Sequence, residues 1–247
     1  HADFSDADAE LGSDARRRLA LASYYALVSF LDEQVGTVLQ ALDANGLDAS
    51  TQVVFSSDHG DNQGARGMWN KSTLYRESTN VPLIVSGPGV PQGRVCTTNT
   101  NLVDIAPTVL ECAGLPIPSD LPGRSLVGLA AEPDDEQRIG FSEYHAVGSP
   151  SAAYMLRQGR WAYHHYVGYA PELFDTKDDP DQLHDLAADA SYCTQLQIFE
   201  QLLRQKLDPQ LVDRKAKDDQ NALVARFGGR HRAMQTGPVG ATPAPAS

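Results

Sequence analysis

The sequence predicts an α/β fold that continues into a small antiparallel sheet with a packed helix. Three observations support this fold class. A long amphipathic segment precedes the β-branched run Thr51-Gln-Val-Val-Phe-Ser56, an order typical of an α/β unit. That run leads directly to the adjacent polar residues Asp58 and His59. Beyond residue 140, short apolar runs alternate with turn residues, as in a meander of antiparallel strands. The 247 residues are enough to bury a sizeable core.

The first predicted element is a helix that begins at Ser13 or Asp14, because either side chain can cap the free amides of a first turn. Apolar residues recur within it at steps of four, four, three and four, which places them on one helical face. These residues are Leu27, Leu31, Val35, Val38 and Leu42. Asn45-Gly46 provides the left-handed residue that ends a helix. We expect the apolar face to cover the sheet that contains the strand at 52–57.

The run Phe55-Ser-Ser-Asp-His-Gly-Asp61 is the most informative feature of the sequence. In open α/β sheets, ligands bind at the carboxyl ends of strands, so Asp58 and His59 lie where metal chemistry is expected. A polar loop at 61–80 follows, and a long loop in a compact domain is usually functional or disordered. A second buried strand is expected at 82–86.

The second half of the sequence is predicted to be mainly β-structure. A short helix at 104–114, with Asp104 as its cap, precedes it. The Gln158-Gly159 turn predicts a hairpin, and residues 173–175 predict another short edge strand. One helical face then follows at the apolar residues Leu196, Phe199, Leu202 and Leu203.

These patterns divide the chain into three parts. Residues 1–130 form the α/β part, and residues 131–206 form the small antiparallel-sheet subdomain with its helix. The acidic, Pro-containing segment from Glu132 to Glu136 marks the boundary between them. Residues 207–247 form a C-terminal extension, whose Gly- and Pro-rich end from Gly228 either wraps a surface or is disordered.

Charge and composition exclude several classes of partner. Acidic residues outnumber basic ones 32 to 20, a formal net charge of −12, which argues against nucleic acid or an anionic membrane as the main partner. No apolar run approaches the about 18 residues that span a bilayer. The three cysteines, Cys96, Cys112 and Cys193, have no zinc-site spacing and predict incidental thiols. They favour a reducing, cytoplasmic location, with the periplasm as the alternative.

Several segments together resemble the C-terminal half of a type I sulfatase, a family of the alkaline phosphatase superfamily. The segments are Ser57-Asp-His-Gly-Asp61, Gly67-Met-Trp-Asn-Lys71, Leu74-Tyr-Arg-Glu77, Val81-Pro-Leu-Ile84, Asp104-Ile-Ala-Pro-Thr-Val-Leu110, Leu121-Pro-Gly-Arg-Ser-Leu126, Arg160-Trp-Ala-Tyr163 and Glu172-Leu-Phe-Asp-Thr-Lys-Asp-Asp-Pro180. The resemblance implies part of an alkaline-phosphatase-like α/β/α sandwich before the antiparallel sheet. It is nearest to the branch that holds choline sulfatases and phosphonate monoester hydrolases.

The resemblance also implies site residues and a cofactor. Asp58 and His59 would be ligands of a divalent cation, commonly Ca²⁺, with Mn²⁺ or Mg²⁺ as alternatives. Lys71 would contact the transferred sulfate of a small anionic ester. Arg66 lies in the same loop and either orients substrate or is a solvated charge. His145 follows a strand of the second part and is a candidate for the rim of the pocket.

One part of the family pattern is missing from the sequence. The family's nucleophile is a formylglycine made from the cysteine of a Cys-x-Pro/Ala-x-Arg motif, and none of the three cysteines stands in that motif. We therefore expect this chain to supply part of a sulfate-ester hydrolase, to need an N-terminal segment or chain, to be inactive alone and to form homo-oligomers. The chain begins with His1, which suggests a processed or truncated product. Alternatives are a phosphonate or phosphate ester hydrolase of the same superfamily and a non-catalytic module in oligomer assembly.

Overall fold

The computed structural model describes residues 11–145 and 149–232. Helix α1 spans Asp14–Ala44 and is capped by Ser13, whose hydroxyl accepts a hydrogen bond from the backbone N–H of Arg16. The helix ends at Asn45, and Gly46 follows with a φ of +65°. The predicted start and stop signals of this helix are confirmed.

The predicted packing of α1 is wrong for the part of the chain that the structure describes. None of its side chains is buried there, and Leu27 on the predicted packing face is 67% exposed. The physical reason is the size of the adjacent sheet. Among the described residues, only strand β1 (Val53–Ser56) and strand β2 (Leu83–Ser86) form it, so it offers little surface for a helix of 31 residues.

The two strands pair antiparallel, with Val53 opposite Ser86 and Ser56 opposite Leu83. The expectation that both are buried strands is also wrong here. Residues of β1 are half-buried, and Ile84 in β2 is 59% exposed. A two-stranded ladder buries side chains only when other layers cover its faces, and within the described ranges this ladder is only partly covered.

The polar segment between the strands is partly structured. It contains a 3₁₀ turn at Ala65–Gly67 and the short helix α2 at Arg76–Thr79. After β2, a 3₁₀ turn at Leu102–Asp104 leads into helix α3, Ile105–Cys112, and helix α4 follows at Leu126–Ala131.

Asp104 occupies the N-cap position of α3 as predicted, but its side chain makes no capping hydrogen bond to that helix. The cap of the preceding 3₁₀ turn is Asn101, and its capping box is completed by Asp104. The Asp104 carboxylate accepts hydrogen bonds from the backbone N–H groups of Asn101 at 2.7 Å and Arg124 at 2.9 Å, and from the Arg138 guanidinium at 2.7 Å. Its side chain is fully buried. Asp104 therefore joins three segments that are distant in sequence.

The four strands of the second sheet follow one another in the order β3-β4-β5-β6 and are all antiparallel. Their bounds are Gly140–Tyr144, Ala153–Gln158, Trp161–Tyr166 and Glu172–Asp175. The predicted hairpin is β4–β5, in which Gln158 pairs with Trp161 across the turn, and β6 is an edge strand as expected.

Alternation along these strands gives the sheet two packed faces. Helix α5, Cys193–Lys206, covers one face as predicted. The core there consists of Ala152, Tyr154, Leu156, Tyr163, Leu173, Phe199 and Leu203. The opposite face packs against the segment after β1: Leu74 lies on Ala153 and Met155, and Tyr75 lies on Phe174. The sheet thus supports the loop that contains Lys71.

A further helix, α6 at Pro209–Arg226, was not predicted. Asp208 caps it by accepting a hydrogen bond from Leu211 N, and Pro209 occupies its first turn, so the start signal was present in the sequence. Asp213 of this helix accepts a hydrogen bond from the Ala152 backbone N–H at 2.7 Å, which ties α6 to the sheet. Most of the Gly- and Pro-rich end, from residue 233 onward, lies outside the described residues.

The structure also describes the state of the cysteines and the lengths of the apolar helices. All three cysteines are free thiols. None of the helices in the described ranges is both long and apolar enough to cross a bilayer.

Candidate active site

The turn after β1 brings Asp58 and His59 to the surface in a defined geometry. The Ser57 hydroxyl donates to the His59 carbonyl at 2.7 Å, and the Gly60 N–H donates to the Ser78 carbonyl at 2.8 Å. A methyl group on Gly60 would overlap the Glu77 carbonyl oxygen, so a residue without Cβ is required there. The turn is therefore held directly against α2.

His59 lies at the centre of the polar contacts that this turn makes. Its Nδ1 lies 2.8 Å from the Gly60 carbonyl oxygen. A carbonyl can only accept, so Nδ1 carries a proton; an ammonium can only donate, so the contact with Lys71 assigns the lone pair to Nε2. Lys71 Nζ approaches Nε2 to 2.5 Å, and Asp58 Oδ2 lies 3.5 Å from it. The predicted residues Asp58, His59 and Lys71 therefore form one cluster.

The cluster is open to solvent. The Asp58 side chain is 83% exposed and that of His59 is 37% exposed. Lys71 is also exposed. Hydrophilic groups that converge while remaining accessible suit the binding of an ion or a charged substrate better than they suit a stabilising salt bridge, because exposed pairs contribute little to stability.

These residues fit part of a divalent-cation site. A ligating histidine usually donates its second ring N–H to a carbonyl, which fixes the tautomer and the ring orientation, and His59 does this with Gly60. Asp58 adds the hard oxygen that Ca²⁺ and Mg²⁺ prefer. Within residues 11–145 and 149–232, no group of three or more His, Cys, Asp or Glu side chains is placed to hold a metal ion. The two residues are thus an incomplete ligand set.

The Lys71 turn is anchored to the C-terminal sheet through a half-buried carboxylate. Glu172 accepts hydrogen bonds from the Tyr75 hydroxyl at 2.7 Å and the Tyr166 hydroxyl at 2.8 Å, and His164 Nδ1 lies 3.2 Å from it. Burial alone raises the pKa of Glu172, but the bonds from His164 and Tyr75 outweigh burial and hold its pKa below the ordinary value. Glu172 is therefore ionised at neutral pH. Burial, followed by this nearby carboxylate, raises the pKa of both tyrosines.

A cavity of about 440 Å³ lies beside this anchor. Its lining includes Ser72, Leu74, Tyr144, Tyr166 and Glu172. It therefore reaches the residue that directly follows Lys71.

Arg66 is not the solvated charge that was one expectation for it. Its guanidinium forms an ion pair with Glu77 at 2.8 Å, donates to the carbonyls of Asp181 and Gln182, and lies 4.1 Å above the Tyr75 ring. These contacts attach the loop to the segment after β6. The alternative role in substrate orientation stays a prediction.

His145 makes its contacts away from the cluster. Its Nε2 lies 3.1 Å from Glu143, its ring packs edge-on against Tyr154 at 5.5 Å, and its carbonyl accepts from Gln220 at 2.6 Å. Within the described residues, no hydrogen bond or ion pair joins it to Lys71. Its role at the pocket rim stays a prediction.

Sequence reasoning missed two residues that organise this region, Asn62 and Glu172. Asn62 is 1% exposed and hydrogen-bonds residues on both sides of Lys71. Glu172 begins one of the segments that carry the family resemblance, but its hydrogen-bond partners are not evident from that segment. Asn62 has no local signal, because it resembles any loop asparagine.

Two family models match this sequence. The model described as "Sulfatase" matches residues 2–115, and the model described as "N-sulphoglucosamine sulphohydrolase, C-terminal" matches residues 64–210. The second match alone covers more than half of the chain. The chain therefore belongs to the sulfatase family, within the alkaline phosphatase superfamily, as its motifs predict. This family is metal-dependent.

The individual proteins that this chain resembles include arylsulfatases, which align with about two thirds to three quarters of its length. Arylsulfatase K of Bos taurus is 36% identical over 178 residues, which cover 68% of this chain and 33% of the bovine protein. Arylsulfatase K of Danio rerio is 36% identical over 197 residues, 76% of this chain and 37% of the fish protein. The chain thus spans about a third of the length of these curated relatives.

Solved structures confirm the alkaline-phosphatase-like fold class. The chain superposes on the protein BT4656, solved with its substrate D-glucosamine-2-N,6-O-disulfate, with a TM-score of 0.71 at 28% identity, covering 82% of this chain and 42% of that one. For BT1596, a 2-O GAG sulfatase, the TM-score is 0.70 at 29% identity, with coverages of 85% and 46%. For the phosphonate monoester hydrolase of Agrobacterium radiobacter it is 0.65 at 28% identity, with coverages of 74% and 40%.

Proposed function

We propose that this chain supplies one part of the active site of a metal-dependent sulfatase that hydrolyses sulfate esters. The observation that carries the proposal is the convergence of Asp58, His59 and Lys71 at the end of β1, with the His59 tautomer set by the Gly60 carbonyl. Sulfatase-family membership supports the reaction class.

In this proposal Asp58 and His59 hold a divalent cation, Ca²⁺ in preference to Mn²⁺ or Mg²⁺. The cation would polarise a nonbridging oxygen of the ester and favour ionisation of the nucleophile. Asp58 provides a carboxylate oxygen and His59 provides Nε2, while Nδ1–H stays on Gly60. Because Lys71 uses the same Nε2 lone pair, coordination there requires the ammonium to turn away from His59.

Once the Lys71 ammonium has turned away from His59, its positive charge can interact with the sulfate group of the substrate. An ammonium beside the sulfate oxygens neutralises the negative charge that accumulates on them in the transition state. Its four-carbon stem is exposed and can move between His59 and a substrate oxygen. We place the nucleophile outside this chain, since no cysteine here stands in the formylglycine motif.

The test uses the complete polypeptide that the gene encodes, with 4-nitrophenyl sulfate as substrate. Asp58→Asn, His59→Ala and Lys71→Met are each expected to lower kcat/KM by roughly 100-fold or more. Lys177→Met is the matched control, because Lys177 is an exposed lysine of the turn after β6, and it should change kcat/KM less than twofold. Full activity of both metal-ligand variants would refute the assignment.

Metal identity is tested on the same protein. After treatment with EDTA and dialysis, hydrolysis should fall to background and return on addition of Ca²⁺, with Mn²⁺ and Mg²⁺ as the comparison. Activity that survives chelation would contradict a metal held by two exposed side chains.

A phosphonate or phosphate ester is the second candidate substrate, favoured by the similarity to the Agrobacterium radiobacter phosphonate monoester hydrolase. The metal pair and the lysine serve either ester, because both develop charge on equatorial oxygens. Comparing kcat/KM for 4-nitrophenyl sulfate and a 4-nitrophenyl phosphonate monoester distinguishes the two.

We further propose that the exposed apolar face of α1 associates with the remaining part of the sulfatase fold or with another copy of the chain. The exposure of Leu27, Leu31 and Val38 supports this, since large apolar patches mark interaction surfaces. The 247-residue chain alone should be inactive and should associate in sedimentation. A monomeric chain that binds neither metal nor an N-terminal segment would contradict the catalytic reading and favour a non-catalytic module.

A further inference from the structure

We propose that Asn62 is a positioning residue that sets the place of Lys71 relative to His59, an inference that rests on the sulfate-binding role proposed for Lys71. Asn62 Nδ2 donates to the Asn70 carbonyl at 2.7 Å, and Asn62 Oδ1 accepts from the Thr73 hydroxyl at 3.0 Å. One side chain therefore holds the residue before Lys71 and the residue two positions after it.

The backbone adds to this clamp. The Asn62 N–H also donates to the Asn70 carbonyl at 2.8 Å, so both lone pairs of that oxygen are used by a single residue. Thr73 N–H donates to the Lys71 carbonyl at 2.8 Å, which closes the turn on its other side. The main chain around Lys71 is thus held on both sides while its side chain stays exposed.

The backbone conformation of Asn70 gives further support. Asn70 has a φ of +65°, in the left-handed region that few non-glycine residues adopt and that asparagine adopts more readily than most. Such conformations persist where neighbouring contacts over-determine them, and they cluster at functional sites. Here the two hydrogen bonds from Asn62 to the Asn70 carbonyl are the contacts that hold it.

The same network reaches the histidine turn. The Thr73 hydroxyl lies 3.0 Å from the Ser78 hydroxyl, and the Ser78 carbonyl accepts from the Gly60 N–H. Gly60 in turn fixes the His59 tautomer. Asn62 therefore joins the two elements whose separation determines the contact between Lys71 and His59.

Asn62 has no route to substrate of its own, because it is almost fully buried and its amide groups are occupied. Its effect on catalysis must pass through Lys71. A double-mutant cycle detects this, since residues that act through one another are non-additive.

The experiment measures kcat and KM for 4-nitrophenyl sulfate with the complete encoded polypeptide and its variants. Asn62→Ala should lower kcat/KM by about 10- to 100-fold, the range expected for misplacing a reacting group by about 1 Å. In a Lys71→Met background the same substitution should lower it less than about twofold, because the group it positions is gone.

Controls separate positioning from loss of stability. Asn99→Ala removes a half-buried amide that links segments elsewhere, through the carbonyls of Arg138 and Arg157, and should lower the melting temperature without lowering kcat/KM. Thr73→Val should reproduce part of the Asn62 effect, and Thr73→Ser, which keeps the hydroxyl, should restore most of the lost kcat/KM.

Each outcome decides the inference. Non-additivity with Lys71 supports it. If Asn62→Ala lowers kcat/KM equally in both backgrounds, or if Thr73→Ser fails to restore what Thr73→Val loses, the positioning role is refuted while the proposed function stands. If the wild-type protein hydrolyses no sulfate ester, the function proposed for Lys71 fails and removes this inference with it.

Discussion

Replacing Asp104 with Asn should destabilise the protein strongly, although the two side chains have nearly the same shape. In the wild type, Oδ1 accepts from Arg124 N and the Arg138 guanidinium, and Oδ2 accepts from Asn101 N. An asparagine has only one oxygen. In the more favourable of its two amide orientations, the asparagine oxygen replaces Oδ1 and keeps the contacts with Arg124 N and Arg138. Its NH₂ group then faces the Asn101 N–H, which loses its acceptor.

The magnitude follows from what is lost. Leaving a buried donor without its acceptor costs about 1–3 kcal/mol. Removing one member of a buried ion pair costs about 3–5 kcal/mol, and this range applies because Arg138 is only 14% exposed. The loss is smaller here, because the Arg138 guanidinium keeps the Asn99 carbonyl as a second acceptor. Since the asparagine oxygen still accepts from Arg138, we expect a total loss of about 3–4 kcal/mol. That is a large fraction of the about 5–15 kcal/mol by which domains are stable.

Urea unfolding followed by tryptophan fluorescence measures this loss. With a slope of about 2 kcal/mol per molar urea, the midpoint should fall by roughly 1.5–2 M. Asp120→Asn is the matched control, because Asp120 is exposed, and it should change the free energy of unfolding by less than about 0.5 kcal/mol. An Asp104→Asn, Arg138→Met double variant should be less destabilised than the sum of the single variants. A loss below about 1 kcal/mol for Asp104→Asn would refute the reasoning.

Three further outcomes are expected. Gly60→Ala should lower the free energy of unfolding by about 1–3 kcal/mol, because the added methyl overlaps the Glu77 carbonyl. Gly36→Ala, on open helix surface, should raise it by about 0.5–1 kcal/mol, and urea unfolding measures both changes. Glu172→Gln should cost about 1–3 kcal/mol at pH 7. The folded state holds the pKa of Glu172 below its ordinary value of 4.5, so the ionised carboxylate stabilises the protein above that pH and this stabilisation is lost as the pH falls. The same substitution should therefore lower the free energy of unfolding less at pH 3 than at pH 7. Arg66→Lys should lower the melting temperature by several degrees, since one ammonium cannot replace contacts made by two guanidinium nitrogens; an unchanged value would contradict that role.

Local signals in the sequence were sufficient for elements whose structure depends on neighbours in the chain. The Ser13 cap and the Asn45-Gly46 stop bound α1, and the Gln158-Gly159 turn sets the β4–β5 hairpin. Helix α6 carried an equally local signal in Asp208-Pro209 and could have been predicted. These features depend on backbone geometry and capping, which a few adjacent residues determine.

Burial could not be predicted in the same way. The apolar face of α1 is regular, but regularity does not say whether a partner layer is present, and in the described residues Leu27 stays exposed. Asp104 is the opposite case, because a residue that looks like a surface cap is buried by partners 20 and 34 positions away.

By itself, the sequence determined the family and the fold class, because the motifs spread along the chain carry both. It also indicated Asp58, His59 and Lys71 as candidate site residues, a role that stays a prediction. The tertiary structure alone decided that these three converge, which ring nitrogen of His59 is protonated, and that the C-terminal sheet anchors the Lys71 turn through Glu172. It also revealed Asn62, whose hydrogen bonds run to residues eight and eleven positions away. The physical reason is that hydrogen bonds and burial depend on distances between atoms, and folding sets these distances among residues whose sequence separation carries no signal.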